Sequence, residues 1–570
     1  MNRTALACLF CCCLYATGAQ AVELRIKGID DDLLDNVRSW IGPPAETGRM
    51  SFRALERHAV EQARGALQAL GYYQPELRTE RAGSEDETVC ILHVDPGPPV
   101  LIERIDIRLE GDRDPRELTA FVADNAPQRG DIFHHGRYES FKSSLLQQAR
   151  QRGYFGATYT VQQVLLDEER NRSDVRLTIA LGARYRIGDI AIAGEGIDRE
   201  LVARFPRFRS GDWYDGEKIA ELHRDLVRTG WFDGVRLRAD PDDAQGLVVP
   251  VSVEYTPRKR NRIGIGAGFS TDIGPRIQLQ WEKPWLNARG HSFGSYLEMS
   301  EIRTQLEASY LIPLRDPVTS QLALTYGLQF EDLNDHDYWL TTAGVEHRKR
   351  LDNKWRLIRS VDIERETDDF GNREFSSTML IPGVALSRTE SEGSPLISRG
   401  WRATGKIQFA SDALLSDATM EKLTLDAKGI HSLGTRTRAI ARGSLGAVRT
   451  DDILEIPVSL RFFSGGDQSI RGYDYKSLAP VDAAGDLIGG RYQAEGSLEF
   501  DYRFAERWLV AAFADRGASF ENSSDADFAT GVGAGIRWLS PIGPLRLDFA
   551  WGISADDTPF NVHFYMGPEL

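Results

Sequence analysis

Cysteine is scarce in this chain and is placed where it cannot cross-link the fold. Only five of the 570 residues are cysteine, and four of these fall within the first thirteen positions. If that segment is removed, as its pattern predicts below, Cys90 stands alone and no intramolecular disulfide can form. Its apolar neighbours predict a strand with an inert, structural thiol. No cluster of metal-ligating residues stands out either, so packing and hydrogen bonds must hold the fold.

Long apolar runs and an excess of basic charge are also missing. Past the N-terminus, no stretch is apolar for the length that a membrane-spanning helix needs. The 69 Lys and Arg residues are outnumbered by 84 Asp and Glu, which gives a formal net charge of −15. Because no basic patch is available to neutralise phosphates, nucleic acid is excluded as a partner.

The first 21 residues have the pattern of a secretory signal peptide. Arg3 precedes an apolar run from Ala5 to Tyr15, and Ala19-Gln20-Ala21 forms a small-x-small cleavage site. The apolar run is too short to span a bilayer, which argues against a membrane anchor. We therefore expect residues 1–21 to be removed on export.

Residues 22 to about 260 repeat one pattern three times. Each copy begins with a short alternating strand that ends in Gly, and the clearest helices are predicted over 52–70, 138–150 and 216–227. Each of these helices ends in Gly and two aromatic residues: Gly71-Tyr72-Tyr73, Gly153-Tyr154-Phe155 and Gly230-Trp231-Phe232. Gly is the expected helix stop. The aromatics are predicted to begin the next strand and to fill the core. Because the aromatic pair occurs at the same place in all three copies, a role in the core is favoured over a role in ligand binding.

Two further strands complete each copy, so the order is β-α-α-β-β. This order resembles the POTRA domain, a periplasmic module that handles unfolded chains by adding a strand to its sheet edge. The resemblance divides the segment into three such domains, at 22–98, 99–183 and 184–258.

Residues 262–570 have the pattern of a long series of β-strands. We count about sixteen segments of roughly ten residues, separated by Gly, Asp, Asn and Pro. In one of them Leu498, Phe500 and Tyr502 enclose Glu499 and Asp501. A soluble sandwich also alternates, but the strand length and the many charges on the polar face favour a membrane barrel with a wet lumen. We predict a transmembrane antiparallel β-barrel of 16 strands, which needs no apolar helix.

Three motifs that could suggest an enzyme fail on their context. Gly290-His291-Ser292-Phe293-Gly294 matches the G-x-S-x-G nucleophile elbow, but the residues after it alternate like a strand where that site needs a helix. Gly264-x-Gly266-x-Gly268 and Gly531-x-Gly533-x-Gly535 lack the dinucleotide-binding spacing. They are typical of strand glycines, which weaken a strand or admit a close neighbour. We therefore assign no catalytic residue, no cofactor and no metal, and expect no enzyme activity.

A long polar interruption from about Asp451 to Arg491 carries the most informative motif, Ile470-Arg471-Gly472-Tyr473. A cation followed by Gly and an aromatic suits a segment folded back into a wet enclosure. There the charge can be paired, and the Gly lets the backbone approach a wall. Downstream, one strand carries Phe513-Ala514-Asp515-Arg516-Gly517.

These two stretches resemble the outer-membrane assembly-factor superfamily, which includes BamA, TamA and the transporters of two-partner secretion. In that family an R-G-F/Y tip on a long loop folds into the barrel lumen, and its Arg meets an F-x-D motif on the wall. The resemblance assigns Ile470, Arg471, Gly472 and Tyr473 to the lumenal loop motif. It assigns Phe513, Asp515 and Gly517 to the partner motif on the wall.

Three POTRA-like copies and the ending Phe564–Leu570 resemble the TamA branch of this family, since BamA-type proteins have five copies and two-partner transporters have two. The resemblance implies the outer membrane of a Gram-negative bacterium, with the POTRA domains in the periplasm. It implies help in inserting or exporting outer-membrane proteins such as autotransporters, with a TamB-like inner-membrane partner and outer-membrane lipid around the barrel. The alternative is a two-partner secretion transporter for a dedicated exoprotein. A porin or a surface enzyme is disfavoured by the plugged lumen and the failed nucleophile elbow.

The first and last strands of the barrel meet at a seam, and the sequence predicts weak pairing there. The first strand carries Gly264, Gly266 and Gly268, and the short last strand carries Val562, Phe564 and Met566. A weak seam leaves backbone N–H and C=O groups with which a client strand could pair.

Overall fold

The computed structural model describes most of the chain, in nine ranges: 22–47, 50–83, 88–111, 115–333, 336–370, 373–393, 396–541, 543–554 and 558–566. The predicted signal peptide at 1–21 and the residues Gly567–Leu570 of the predicted closing motif lie outside these ranges. Two compact units are present. One comprises the residues up to Ile190 with Phe208–Ile219 and Ala239–Val251, and the other comprises Ala191–Arg207, Ala220–Arg238 and the residues from Ser252 onward.

Three small α+β repeats occupy the N-terminal part. The elements of the first are β1 (Glu23–Lys27), α1 (Asp31–Ile41), α2 (Pro44–Thr47), α3 (Phe52–Ala69), β2 (Glu76–Gly83) and β3 (Thr88–Asp95). Those of the second are β4 (Leu101–Glu110), α4 (Arg116–Asn125), α5 (His135–Gln151), β5 (Thr158–Asp167) and β6 (Arg172–Ala180). Those of the third are β7 (Arg186–Gly194), α6 (Arg199–Val202), α7 (Gly216–Arg228), β8 (Phe232–Arg238) and β9 (Val248–Pro257). The sheet orders are β1-β3-β2, β4-β6-β5 and β7-β9-β8, which confirms the predicted POTRA-like architecture.

Each repeat is held by an amphipathic helix on one face of its sheet. In the second repeat, α5 buries side chains at helical spacing: Tyr138, Phe141, Leu145 and Ala149. They pack on the inward residues of the central strand β6: Val175, Leu177 and Ile179. Cys90 lies on β3 of the first repeat, buried and unbridged, and burial raises the pKa of its thiol.

The aromatic pairs differ from the prediction that they begin the next strand. Only β8 begins at an aromatic residue, Phe232, whereas β2 and β5 begin at Glu76 and Thr158. The first aromatic of each earlier pair instead closes the helix end: the N–H of Tyr72 donates to Leu67 O at 2.9 Å, and the N–H of Tyr154 donates to Ala149 O at 3.0 Å. This is the hydrogen bond expected after a glycine with positive φ.

The second aromatic of the pair contacts the following repeat. The Phe155 ring lies 4.8 Å from that of Tyr214 and 5.1 Å from that of Tyr185, measured between ring centroids. Beside it, the N–H of Tyr185 donates to Gly153 O at 2.9 Å. The motif at the end of the helix therefore also forms a joint between the second and third repeats.

The C-terminal part is a closed antiparallel barrel of sixteen strands, as predicted. Its strands are β10 (Arg262–Ser270), β11 (Gly274–Lys283), β12 (Ser292–Met299), β13 (Arg303–Pro313), β14 (Ser320–Leu333), β15 (His336–Arg350), β16 (Arg356–Phe370), β17 (Arg373–Glu392), β18 (Arg399–Ala410), β19 (Met420–Ser432), β20 (Thr437–Thr450), β21 (Tyr492–Ala505), β22 (Trp508–Phe520), β23 (Ala529–Ser540), β24 (Gly543–Gly552) and β25 (Phe560–Met566).

The barrel presents apolar side chains outward and charged ones inward. On β21, Leu498, Phe500 and Tyr502 are exposed on the outer face, whereas Glu499 and Asp501 between them are buried on the lumenal face. This is the inverse of a soluble fold and is what lipid outside and water inside require. In the part of the chain that is described, no helix has the length and apolar character to cross a bilayer.

Strand lengths depart from the predicted ten residues. They range from seven residues in β25 to twenty in β17. The reason is that strands can continue past the apolar band, where both faces are polar and the period-two signal disappears. The G-x-S-x-G match lies in the turn before β12, and Ser292 begins that strand, which confirms the interpretation as a turn.

Candidate functional site: the lumenal loop and the barrel seam

The segment 451–491 connects β20 to β21 and folds against the inner wall of the barrel. Ile470, Arg471 and Tyr473 at its tip are buried. Nearer the start of the loop, the Val458 N–H donates a hydrogen bond to Glu366 on β16 at 2.6 Å. The loop is thus attached to the wall at widely spaced strands and closes off that part of the lumen.

Arg471 meets Asp515 in a two-pronged ion pair. Its Nε lies 2.7 Å from Asp515 Oδ2 and its Nη2 lies 2.9 Å from Oδ1, and its backbone N–H donates to Oδ2 at 3.1 Å. The guanidinium carbon also lies 3.4 Å from the centroid of the Phe513 ring, in cation–π geometry. Of the three residues assigned to the wall motif, Phe513 and Asp515 therefore touch the Arg of the loop motif.

The pair belongs to a larger buried network that the sequence did not reveal. Arg471 Nη1 lies 2.8 Å from Glu499 Oε2 and 3.1 Å from Asp548 Oδ2. Arg537 on β23 binds the same two carboxylates from the other side. Three carboxylates thus share two guanidiniums. The only sequence signal for Glu499, Asp548 and Arg537 was their place on the lumenal face of alternating strands.

The electrostatics of this network favour the charged form of the loop residue. Burial alone would lower the pKa of Arg471, but its hydrogen bonds and its attraction to Asp515, Glu499 and Asp548 outweigh burial and raise that pKa. Such a cation stays charged in the lumen only while its carboxylates surround it.

Glycines create the space in which the tip rests. A Cβ on Gly531 would overlap the carbonyl of Arg471, and one on Gly533 would overlap the Phe513 ring. Gly472 itself has a φ of +95°, and a Cβ there would lie 2.7 Å from the backbone nitrogen of Gly552. The sequence predicts that such strand glycines either weaken a strand or admit a close neighbour. The glycines of β23 admit a close neighbour, the loop tip. Gly517, assigned to the wall motif, lies on β22 against Glu495 on the neighbouring strand.

Among the described residues, the seam has the fewest register pairs of any two neighbouring barrel strands. β10 and β25 share one register pair, Ser270 with Tyr565, whereas β10 and β11 share nine. Close by, the Thr271 N–H donates to Phe564 O at 3.3 Å. Within the described parts of β10 and β25, this register pair and the Thr271–Phe564 contact are the backbone links between the two edges.

The seam residues named from the sequence lie on these two edges. Gly264, Gly266 and Gly268 lie on β10, and Val562, Phe564 and Met566 lie on β25. The glycines are covered by side chains of β11: Gln280, Gln278 and Arg276 respectively. Arg276 reaches across Gly268 and donates from Nη2 to Met566 O at 2.9 Å. On the outer side, the rings of Phe269 and Phe564 lie 5.8 Å apart.

The rest of the lumen is polar and open in part. A cavity of about 780 Å³ lies along β11–β16, lined by amide, hydroxyl and charged side chains such as Gln305, Thr325 and Glu364. Among the described residues, no group of three or more His, Cys, Asp or Glu is arranged to hold a metal ion.

Comparison with known proteins defines the class. The model of the Omp85 superfamily domain matches residues 260–569. The model of POTRA domain TamA domain 1 matches 23–96, and that of the surface antigen variable number repeat, a POTRA model, matches 185–258. Because the barrel model covers more than half of the chain, the chain belongs to the Omp85 superfamily.

Relatives agree with this membership. The chain is 24% identical over 413 residues to the outer membrane protein assembly factor BamA of Nitratidesulfovibrio vulgaris, over 68% of this chain and 51% of that protein. It is 22% identical over 530 residues to the BamA of Neorickettsia risticii, over 85% of this chain and 68% of that one. The chain thus spans about half the length of the first of these relatives.

A solved structure shows the same fold. The crystal structure of BamA from Haemophilus ducreyi lacking POTRA domains 1–3 matches with a TM-score of 0.67 at 16% identity, over 82% of this chain and 99% of that one. Together with the Omp85 and POTRA models and the BamA relatives, the fold defines an outer-membrane β-barrel whose POTRA domains lie in the periplasm. Since β10 begins on the periplasmic side, β20 runs outward and the loop 451–491 enters the lumen from the cell surface.

Proposed function

We propose that this protein helps to insert or export other outer-membrane proteins, autotransporters among them, by offering its seam to their strands. The observation that carries the proposal is that β10 and β25 share a single register pair in the part of the chain that the structure describes. An edge with free N–H and C=O groups can pair with an incoming strand. That pairing would satisfy the client's backbone as the client enters lipid, where unpaired groups are costly.

We further propose that the protein acts as a TamA-type subunit with a TamB-like partner anchored in the inner membrane. Support comes from the first repeat, which matches a POTRA model named for TamA domain 1. The three repeats also differ from the five of BamA-type proteins. We propose that no catalytic group takes part, because strand pairing needs none. A pull-down from membranes with the POTRA segment as bait would test for a large β-rich inner-membrane partner.

A two-partner secretion transporter is the second candidate, since it belongs to the same superfamily. It would move one dedicated exoprotein through the lumen, and a neighbouring gene for that exoprotein would favour it. Three repeats instead of two favour the assembly role.

The assembly role is tested with the full-length protein in liposomes and a urea-denatured autotransporter barrel. We expect the protein to speed membrane insertion, and a cysteine lock between β10 and β25 to abolish that gain until it is reduced. A locked protein that inserts clients as fast as the unlocked one would overturn the proposal.

A further inference from the structure

The tip of the lumenal loop touches both edges of the seam, through contacts other than the Arg471 ion pair. On the side of β10, Ser270 Oγ donates to Asp467 Oδ2 at 2.8 Å. The Asp467 N–H donates to Oδ2 of Asp272, in the turn that follows β10, at 2.6 Å. Both contacts hold the outer end of the first strand.

On the side of β25, two more hydrogen bonds hold the last strand. The Gly472 N–H donates to His563 Nε2 at 3.1 Å. Asn561 Nδ2 donates to Asp474 Oδ1 at 3.0 Å. The residues from Asp467 to Asp474 therefore contact two strands that, among the described residues, share one register pair.

The loop backbone is shaped for this position. Gly466 has a φ of +104°, and a Cβ there would lie 2.5 Å from Asp272 Oδ2. Gly472 lies equally close to β24, the neighbour of the last strand. Only glycine lets the chain pass this near to both sides.

From these contacts we propose that the segment 466–474 is a cross-seam clamp that holds the outer end of β10 and the last strand β25 together and so keeps the barrel closed. Ser270 and Asp272 on one edge, and Asn561 and His563 on the other, are its positioning residues. The buried network of Arg471 with Asp515, Glu499, Asp548 and Arg537, here called the Arg471 hub, fixes the clamp to the barrel wall. Release of the clamp frees both edges together. The role of the clamp in client insertion rests on the proposed function. The closure of the seam by the clamp can be measured in the barrel without any client.

The test measures the seam without any client. Spin labels on a Phe269→Cys/Phe564→Cys protein, in a Cys90→Ser background, report the distance across the seam in the full-length protein in membranes. We expect one short, narrow distance in the parent. In Ser270→Ala/Asn561→Ala, which removes one contact from each edge, we expect the ratio of open to closed populations to rise about tenfold.

Matched controls separate the clamp from a general loss of polar contacts. Ser444 Oγ donates to Asp426 Oδ1 at 2.8 Å, and Asn522 Nδ2 donates to Asp525 Oδ2 at 3.2 Å, and neither contact involves the loop tip. Ser444→Ala/Asn522→Ala should keep the parent distance. Heat-modifiable gel mobility shows that each barrel has formed, and Asn561→Ala alone serves if the double variant does not fold.

Equal distances in the parent, the clamp variant and the control would overturn the clamp. A seam that opens in the clamp variant while client insertion is unaffected would support the clamp and contradict the proposed function. The two proposals can therefore fail separately.

Discussion

Arg276 and Met566 are joined across an intervening strand. The Arg276 guanidinium, on β11, passes over Gly268 of β10 and donates a 2.9 Å hydrogen bond to the carbonyl of Met566 on β25. The strand between them, β10, shares one register pair with the described part of β25. A side chain thus occupies one of the backbone acceptors that a client strand would need.

Gly268 should be the least replaceable of the three seam glycines. A Cβ there would lie 2.6 Å from Arg276 Nε and would push the guanidinium away from Met566. We expect Gly268→Ala to lower the free energy of unfolding by about 1.5 kcal/mol, the lower end of the range for a hydrogen bond to a charged group. The measurement is the urea midpoint of unfolding in detergent micelles.

Gly264→Ala is the matched control for this prediction. Its Cβ would meet Gln280 Cβ at 3.5 Å, which is ordinary contact, so stability should stay at or slightly above that of the parent. Equal midpoints for the two variants would show that Arg276 does not brace the seam.

The Arg471 hub should fix the loop but not the barrel. Arg471→Ala leaves three buried carboxylates with one guanidinium, and Asp515→Ala leaves Arg471 without its closest partner. Breaking a buried pair in this way costs about 3–5 kcal/mol. We expect both variants to form heat-modifiable barrels whose segment 451–491 is cut readily by protease at the cell surface.

Arg516→Ala is the control for the hub, because this neighbour of Asp515 is exposed on the outer face, where it contacts Thr530 and the Phe528 ring. Its loop should resist protease as the parent does. Protease resistance in Arg471→Ala and Asp515→Ala as well would show that the loop is held elsewhere.

The clamp should loosen as pH rises. Burial and the nearby carboxylate of Asp272 raise the pKa of Asp467 from 3.8 to about 7, and Ser270 and His563 are the other polar groups that face it. A raised pKa means that the folded contact favours the protonated acid. Its contribution is complete below about pH 4 and is lost as pH rises to about 7.

The spin-label distance across the seam checks this sign. The closed population should be larger at pH 5 than at pH 8, and Asp467→Asn, which mimics the protonated acid, should remove most of the difference. A seam that opens on acidification would contradict the prediction.

Much of the fold could be read from the sequence because its signals are local. Helix-ending glycines at a regular spacing gave the three repeats, and alternation gave the sixteen strands. Strand length could not be read, because β16 and β17 continue where both faces are polar. The aromatic pairs were assigned to strands because the sequence does not show that Tyr72 and Tyr154 close their helices.

The residues of the candidate site could be predicted from the sequence only where they belong to a recognisable motif. Arg471 and Asp515 were matched through the family resemblance, and the structure places them in contact. Glu499 and Asp548 looked like any other lumenal charges, because their role depends on which strands face the loop. Arg276 could be found only from the register that sets it over Gly268.

The joint between the second and third repeats should depend on Phe155. Its ring packs between Tyr185 and Tyr214, so Phe155→Ala removes both contacts. We expect faster amide exchange at Tyr185 and around Tyr214 in the full-length protein. Phe121→Ala, which removes a ring contact with Phe141 inside the second repeat, should speed exchange in α4 and α5 instead.

Photo-crosslinking during client insertion tests the central claim, that clients pair with the seam, most directly. A photoreactive amino acid replaces Ile265 on β10 in one protein and Ile363 on β16 in another, both of which face outward and are exposed. We predict that an inserting autotransporter barrel crosslinks to position 265, through a strand at its own edge, and scarcely to position 363. Equal crosslinking at both positions, or none at 265 while insertion proceeds, would contradict the account.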